Sequence, residues 1–326
     1  MRRHLGMVAL LCAALVAGCG DDEPASSGGG GDGGTTSVKV GVLPIANAAP
    51  LYIARDRGFF KEEGIEIEPQ LAQGGAELVT SLVSGDSQFA FLGYVPVIVG
   101  KARGLPVKII ANADNGADTP EKEWQIIMSA KDSDIREPKD LEGRTIALNA
   151  LRGVGEVTVK AAMEAEGADP TGVKFIEIPF PEMPAALEKG RVDAIWAPEP
   201  FLTQVLGAGG HEVLPVYQSL APLFPNGGYA TTDKYIAENE DVVEGFARAI
   251  NKGLKFASDN PEEARKTITT FTKIPPDVVG KIRLPFWPTE IDREQLTDLI
   301  GYTQKYGVIE ETFPVDDMIW EGASGN

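Results

Sequence analysis

Residues 38–92 constrain the fold more than any other stretch of this 326-residue chain. Their pattern predicts strands at residues 38–43, 65–71 and 89–92, because each run is rich in apolar or β-branched residues and ends at a turn residue. Helical periodicity fills both gaps, and Gly74-Gly75 opens the second helix. Strands joined by helices of this length predict a parallel sheet with right-handed crossovers. Such a sheet binds its ligands at the carboxyl ends of its strands.

The first 18 residues have the pattern of a secretory signal peptide. Arg2 and Arg3 precede an apolar run over residues 5–16, which is too short to span a bilayer permanently. Small residues before Cys19 resemble the lipobox of bacterial lipoproteins, so we expect cleavage before Cys19 and acylation of that cysteine. A chance cysteine after an ordinary signal is the alternative. Residues 19–37 then form a lipidated cysteine and a flexible linker rich in Gly, Ser and Asp.

The composition of the chain after such cleavage excludes several classes of function. One cysteine, Cys19, and one histidine, His211, remain, so the sequence predicts no disulfide, no zinc cluster and no cysteine nucleophile. The net charge of −18 becomes −20 when Arg2 and Arg3 are removed, which disfavours nucleic acid and anionic lipid as partners. The sequence has neither a G-x-S-x-G motif nor a Walker-type loop. We expect a monomeric binding protein without a cofactor or metal, attached to the membrane only through its lipid.

The strand–helix pattern repeats once along the chain, which predicts two similar α/β lobes. The first lobe comprises residues 38–120 plus 221–326, and the second comprises residues 121–220. Gln88 and Asp193 occupy the same point of an equivalent turn in the two repeats, where we expect turn chemistry. Clefts between domains are preferred sites for small ligands. Further segments are a fourth strand at 107–111, a polar crossing at 112–123, a helix starting at Glu199, a returning strand at 229–232, and helices at 241–257, 261–270 and 291–306.

Six short motifs run through this part of the chain: Pro50-Leu-Tyr-Ile-Ala54, Gly58-Phe-Phe-Lys-Glu-Glu-Gly64, Leu82-Val-Ser-Gly85, Gly104-Leu-Pro-Val107, Asp140-Leu-Glu-Gly143-Arg144 and Ala197-Pro-Glu-Pro200. Together they resemble the solute-binding proteins of ABC importers, in the branch for nitrate, sulfonates, taurine and thiamine precursors. The resemblance implies a two-lobed type II periplasmic-binding fold, each lobe a mostly parallel sheet flanked by helices, with the ligand cleft between them. It also implies ligand capture by hinge closure and delivery to a permease with an ATPase partner, at the outer face of the cytoplasmic membrane. Gln88 departs from the family, which usually has an acidic residue there.

Residues just after strand ends and at helix N-termini are the predicted ligand contacts, because free backbone N–H groups there attract polar ligand atoms. Four of these residues also suit a purely structural role: Asn47 as a helix N-cap, Tyr94 as a core tyrosine, Arg152 as a surface residue, and Glu199 as a charge that complements a helix dipole. The predicted set is Ala46, Asn47, Gly74, Gly75, Gly93, Tyr94 and Asn112 in the first lobe, with Arg152, Gly153, Val154, Phe180, Trp196 and Glu199 in the second.

Two kinds of ligand fit this set. Arg152 and the helix N-termini favour an anion such as nitrate, a sulfonate or a carboxylate. Aromatic residues and Glu199 favour a flat amine-bearing ring such as a thiamine-precursor pyrimidine. An enzyme of the same fold acting on a pyrimidine or an aromatic acid is an alternative function, although the related synthase needs a histidine and a cysteine-rich motif that this sequence lacks. A surface protein that senses a ligand without a transporter is a further alternative.

Overall fold

Two five-stranded sheets organise the part of the chain that the computed structural model describes, residues 35–323 apart from 73, 273 and 275. The strands are β1 (Thr36–Val42), β2 (Ile65–Leu71), β3 (Phe89–Gly93), β4 (Val107–Asn115), β5 (Gln125–Ser129), β6 (Thr145–Leu148), β7 (Lys174–Glu177), β8 (Ala194–Pro198), β9 (His211–Pro215) and β10 (Pro225–Thr232). The first sheet has the order β2-β1-β3-β10-β4, and the second has the order β7-β6-β8-β5-β9. The parts of the chain built on them are called the first and second lobe.

Both sheets mix parallel and antiparallel pairs in the same way. Strand β1 is parallel to β2 and β3, and β6 is parallel to β7 and β8. In each sheet the fourth strand, β10 or β5, is antiparallel to both of its neighbours and follows a passage of the chain from the other sheet. The predicted two-lobed α/β fold is confirmed, and the repeat in sequence is a repeat in topology. The exact limits of the two lobes in sequence stay a prediction.

Helices flank the two sheets. None of those described is long and apolar enough to cross a membrane. The helices are α1 (Ala49–Asp56), α2 (Phe59–Glu62), α3 (Gly75–Ser84), α4 (Tyr94–Ala102), α5 (Val154–Ala165), α6 (Met183–Glu188), α7 (Phe201–Gly207), α8 (Asp233–Glu238), α9 (Glu240–Asp259), α10 (Pro261–Phe271), α11 (Pro276–Val279) and α12 (Arg293–Lys305).

Strand β4 is longer than the sequence predicts. A polar crossing is expected at residues 112–123, but β4 continues to Asn115, because its pairing with β10 extends that far. The polar side chains of Asn112, Asp114 and Asn115 are buried, where side-chain hydrogen bonds replace water. Glu199 also differs from its prediction, since α7 begins two residues after it, at Phe201.

Gln88 and Asp193 make equivalent contacts in the two lobes. Lys39 of β1 donates its backbone N–H to Gln88 Oε1 at 2.8 Å, and Thr145 of β6 donates its backbone N–H to Asp193 Oδ2 at 2.7 Å. Each side chain therefore joins a turn to the strand that occupies the second place in its own sheet. The prediction of turn chemistry at these two positions is confirmed, and a neutral amide at position 88 performs it as well as a carboxylate.

An aromatic cluster holds α9 against the first sheet. Phe246 is fully buried, and its ring stacks on Phe89 with centroids 3.9 Å apart. The same ring lies 5.1 Å from Phe60 and 5.8 Å from Tyr229. This cluster therefore joins the N-terminal strands of the first lobe to the helix that follows the return of the chain.

Replacing Phe246 by Ala is expected to lower the free energy of unfolding by about 3–5 kcal/mol, because the cavity left among three rings cannot collapse completely. Urea denaturation followed by tryptophan fluorescence would measure this loss. Val83→Ala, at a position 44% exposed on α3, is the control and should change the stability by less than about 0.5 kcal/mol. Similar losses in the two variants would contradict the role given to the cluster.

Candidate functional site

A cavity of about 50 Å³ lies between the two lobes, at the carboxyl ends of their parallel strands. In the first lobe, its wall is formed by the segment after β1, the start of α3, and the junction of β3 with α4. In the second lobe it is reached by the loops after β6 and β7 and by β8. The described lining consists of Leu43, Ile45, Asn47, Gly75, Phe91, Gly93, Pro96, Trp124, Gln125, Asn149, Ala150, Gly153, Val154, Phe180, Trp196 and Asn226.

More than half of the predicted contact residues meet at this cavity. They come from both lobes, and a Cβ atom built on Gly74 would also face the second lobe, 3.7 Å from Asn149 O. Their role in binding stays a prediction. The structure shows that these residues lie around one cavity. The predicted residues in the lining are Asn47, Gly75, Gly93, Gly153, Val154, Phe180 and Trp196.

Tyr94 and Asn112 are not part of the described cavity lining. Tyr94 is fully buried in the hydrophobic core and donates its hydroxyl to Asn112 Oδ1 at 2.7 Å. The amide nitrogen of Asn112 donates to Asn115 Oδ1 and to Pro288 O. Both side chains are therefore bonded to the protein, and the surroundings of Tyr94 are those of a core tyrosine.

Arg152 is directed toward the loop after α12. Its guanidinium donates to the carbonyl oxygens of Gly307 and Val308, at 3.2 and 2.9 Å. The structure thus gives this cation backbone acceptors near the C-terminus of a helix, where positive charge is favourable. Lysine and arginine are absent from the described lining of the cavity.

Glu199 forms contacts between the lobes. Its buried carboxylate accepts hydrogen bonds from the backbone N–H of Arg283 at 2.9 Å and from both the N–H and the hydroxyl of Thr203. Ala46, another predicted contact, donates its N–H to the backbone oxygen of Glu199 at 3.3 Å. Burial raises the pKa of Glu199 to about 7, although these hydrogen bonds lower it. Protein donors thus occupy the carboxylate that was predicted to accept from a ligand amine.

A buried carboxylate that the sequence analysis missed lies beside the cavity. Asp114 Oδ2 accepts the side-chain N–H groups of Asn47 at 2.5 Å and of Asn226 at 2.8 Å. Tyr217 donates its hydroxyl to Asn226 Oδ1 at 2.5 Å. Burial raises the pKa of Asp114 to about 7, and the two amide hydrogen bonds oppose that rise. Asn47 therefore serves this network and does not cap a helix with its side chain.

Two of the lining residues that the sequence analysis missed come from the antiparallel strands β5 and β10. Gln125 is the first residue of β5, and Asn226 is the second of β10. Trp124 is fully buried next to them and donates its indole N–H to Asn115 O at 2.9 Å. The run Asn112–Asn115 was the signal in the sequence that could have revealed this part of the site. If the strand continues through this run, Asp114 lies at the same edge of the sheet as Asn47.

Glu123 joins the two segments that connect the lobes. Its carboxylate accepts backbone N–H groups from Ala117, Trp124 and Gln125 in the first segment, and from Gln218 in the second. The side chain is fully buried, and burial raises its pKa to about 7 in opposition to the four hydrogen bonds. One carboxylate thus accepts hydrogen bonds from both segments that connect the lobes, which together form the hinge of the cleft.

Residues 45–264 match the NMT1/THI5-like family. The chain belongs to this family. The match confirms the resemblance to the solute-binding proteins of ABC importers. The NMT1/THI5-like chain is 26% identical over 283 residues to a formylaminopyrimidine-binding protein of Halalkalibacterium halodurans, covering 81% of this chain and 78% of that protein. Its fold is similar to that of the alkanesulfonate-binding protein SsuA from Xanthomonas axonopodis pv. citri, with a TM-score of 0.74, 16% identity and coverage of 88% and 99% of the two chains.

A more distant relative of this NMT1/THI5-like chain carries the name of an enzyme. It is the 4-amino-5-hydroxymethyl-2-methylpyrimidine phosphate synthase of Legionella pneumophila, 23% identical over 288 residues, which cover 82% of this chain and 84% of that protein. The relatives of this chain therefore include a protein named for binding and a protein named for synthesis. The residues of the site are needed to choose between these two functions for this chain.

Three raised pKa values predict how stability depends on pH. Asp114, Glu123 and Glu199 each have a pKa raised to about 7 by burial, so the native state holds protons that the unfolded chain has released. Their contribution to stability is full below an unfolded pKa of about 4 and is lost as the pH rises through about 7. Asp114→Asn removes one of these contributions, so its unfolding free energy relative to wild type should increase between pH 4 and pH 8.

Urea denaturation at a series of pH values would measure that difference. Asp132→Asn, at an exposed position, is the control and should follow the wild-type profile. A difference between Asp114→Asn and wild type that stays constant across this pH range would show that Asp114 takes up no proton on folding.

Proposed function

We propose that this protein is an extracytoplasmic solute-binding protein of an ABC importer, which captures a small solute by hinge closure and delivers it to a permease with its ATPase. The observation that carries the proposal is the cavity between the lobes, with walls from both. A ligand that contacts both walls gains these contacts only when the cleft is shut. Its differential affinity for the closed state then drives closure.

Contacts between the lobes support a closed arrangement. A Cβ atom built on Gly93 of the first lobe would lie 2.4 Å from Val154 Cγ2 of the second, so the backbone of one lobe touches a side chain of the other. Arg283 pairs with Glu212 at 2.5 Å and donates to the backbone oxygen of Glu123. Because such contacts form only on closure, they are available to report the bound state to a permease.

The finer parts of the proposal rest on the sequence and on the relatives. The solute belongs to the classes that the family resemblance implies: a sulfonate, nitrate, taurine or a thiamine-precursor pyrimidine. The names of the relatives, a formylaminopyrimidine-binding protein and an alkanesulfonate-binding protein, support both chemical directions. Acylation of Cys19 would hold the protein at the outer face of the membrane through residues 19–37; Cys19 lies outside the described residues.

Binding without catalysis is the function that the described site supports. His211 is the one histidine among the described residues, and it lies at the start of β9 with its Nε2 atom 2.9 Å from Lys131 O. It is not part of the described cavity lining. The buried carboxylates of Asp114 and Glu123 lie near the cavity, and both accept hydrogen bonds from protein donors.

Replacing Gly93 by Ala tests capture by closure. The new methyl group would meet Val154, a β-branched residue at the start of α5 with little rotamer freedom, so the cleft should stop short of full closure. The backbone at Gly93 has φ −60° and accepts alanine without strain. We expect the variant to retain at most about one tenth of the solute that wild type carries through purification, a loss of about 1.4 kcal/mol in binding.

Mass spectrometry of acid-methanol extracts would identify and quantify that solute. Gly100→Ala, in the helix that Gly93 precedes, is the matched control, because the atom nearest to its Cβ is Leu105 Cδ1 at an ordinary 3.6 Å. It should retain the solute as wild type does. Equal retention in Gly93→Ala, or turnover of the retained compound into a product, would contradict a binding protein that works by closure.

A further inference from the structure

Two arginines contact the opposite lobe, one from each lobe, at positions outside the cavity between the lobes. We propose that Arg152 and Arg283 are positioning residues that together form a clasp, which sets the fraction of the protein that is closed. Neither arginine is in the described lining of the cavity, so the clasp acts without contacting a solute. The inference goes beyond the proposed function and rests on it only for the consequence that the closed fraction scales the affinity.

The segment that carries Arg283 is fixed to the first lobe. Phe286 and Asn115, the last residue of β4, exchange backbone hydrogen bonds at 2.8 and 3.3 Å. Ile282 and Trp287 are buried in an apolar cluster with residues of α1, α9 and α10. Hydrogen bonds and burial on both sides of Arg283 therefore hold its backbone in place, and the first lobe determines where its side chain begins.

The guanidinium of Arg283 contacts the second lobe at Glu212, in β9. Its two terminal nitrogens lie 2.5 and 3.1 Å from the two carboxylate oxygens, which is the bidentate geometry that arginine favours. One of these nitrogens also donates to the backbone oxygen of Glu123 at 3.0 Å. The two side chains are 25% and 35% exposed, so solvent screens this pair less than an ion pair on the open surface. The contact therefore joins the first lobe, the hinge and the second lobe.

Arg152 forms the second contact, in the opposite direction. It lies between β6 and α5 of the second lobe, and its guanidinium donates to the backbone oxygens of Gly307 and Val308 at 3.2 and 2.9 Å. These acceptors follow α12, which packs against α4 of the first lobe. Beyond α12 the chain returns to the first sheet, where Trp320 donates its N–H to Ile109 O at 2.8 Å. The guanidinium thus binds backbone that is held by the first lobe.

The backbone of Arg152 gives independent support for a functional role. Its φ is +55°, in the left-handed region that a residue with a Cβ atom rarely occupies. The N–H of Arg152 donates to Glu156 Oε2 at 2.8 Å, which helps to hold this conformation. Strain of this kind persists where the surroundings enforce it, and it is concentrated at functional sites. A glycine would adopt the conformation without cost, but it would have no guanidinium to contact the first lobe.

The clasp changes affinity because opening of the cleft separates its partners. Each contact joins groups of different lobes, so its free energy counts toward the closed state alone. The apparent dissociation constant of a ligand equals the intrinsic constant divided by the fraction of protein in the binding state. Loss of the clasp should therefore weaken the binding of every solute by the same factor and leave selectivity among solutes unchanged.

Distances between spin labels on the two lobes test the inference on the mature protein, freed of solute by unfolding in guanidinium chloride and refolding. Val83→Cys in α3 and Lys189→Cys after α6 place the labels at exposed positions of opposite lobes, and Cys19→Ser removes the native cysteine. Double electron–electron resonance should show a short-distance and a long-distance population. Arg283→Ala and Arg152→Asn should each lower the ratio of short to long by about fivefold. Asparagine suits position 152 because it tolerates a positive φ.

Three further variants separate the clasp from general effects. Arg248→Ala is the matched control, because the partners of Arg248, Glu63 and Glu244, lie in the same lobe as the arginine. It should keep the wild-type ratio. Glu212→Gln should lower the ratio as Arg283→Ala does, and the two together should lower it no further, since both remove one contact. Arg283→Lys keeps the charge without the fork and should give an intermediate ratio. A loss of folding would instead broaden both distance populations and lower the midpoint of urea denaturation.

Two results would overturn the inference. One is a wild-type protein that shows the long distance alone, and the other is an unchanged ratio in the combined variant Arg152→Asn/Arg283→Ala. The combined variant should instead lower the ratio by the product of the two single effects, because the two contacts share no partner. Since no solute is present, these results leave capture itself undecided. That question is answered by the solute retained in Gly93→Ala and Gly100→Ala.

Discussion

The carboxylate of Glu123 is the fixed point on which the two-lobed arrangement depends. It accepts N–H groups from Ala117, Trp124 and Gln125 on one connecting segment and from Gln218 on the other. Without it these backbone groups would be buried in the hinge and unpaired, at a cost comparable to several lost hydrogen bonds. Both connecting segments are therefore held together at one carboxylate.

Buried acidic groups are concentrated where the lobes meet, while the sheet interiors are apolar. Asp114, Glu123 and Glu199 are all buried, and each is surrounded by hydrogen-bond donors of the protein. In such a low-dielectric setting a satisfied polar network is rigid and specific, whereas a partly satisfied one is unstable. The bonds of Glu199 with Arg283 and Ala46 cross from the second lobe to the first. The same carboxylate that was expected to bind a ligand amine thus forms a hydrogen bond between the two lobes.

The sequence predicted the sheet edges of the cleft well, because strand and helix periodicity are local properties. Gly75, Gly93 and Gly153 lie at helix N-termini that follow strands, and all three line the cavity. Their positions could be predicted because the end of each strand can be recognised in the sequence. Side-chain direction was harder to predict. Tyr94 is one residue after Gly93, yet its side chain enters the core, where Asn112 accepts its hydroxyl. Knowing that a residue follows a strand does not reveal which way its side chain points.

The contacts between strands β4 and β10 were not predicted, for a different reason. Asp114 meets Asn226 across 112 residues of sequence, and nothing local to either residue predicts that pairing. The run Asn112–Asn115 has the polarity of a loop, and that polarity is explained only by the antiparallel partner β10. Long-range pairing of this kind is fixed by the whole topology, and periodicity within one segment does not detect it.

The narrowness of the closed cleft follows from the side chains it lacks. At Gly93 of the first lobe, a single methyl group would lie 2.4 Å from Val154 Cγ2 of the second lobe. Glycine at this position lets the backbone of one lobe contact a side chain of the other, and the cavity left between the lobes is about 50 Å³. The volume left for a solute between the lobes therefore depends on the absence of a side chain at position 93.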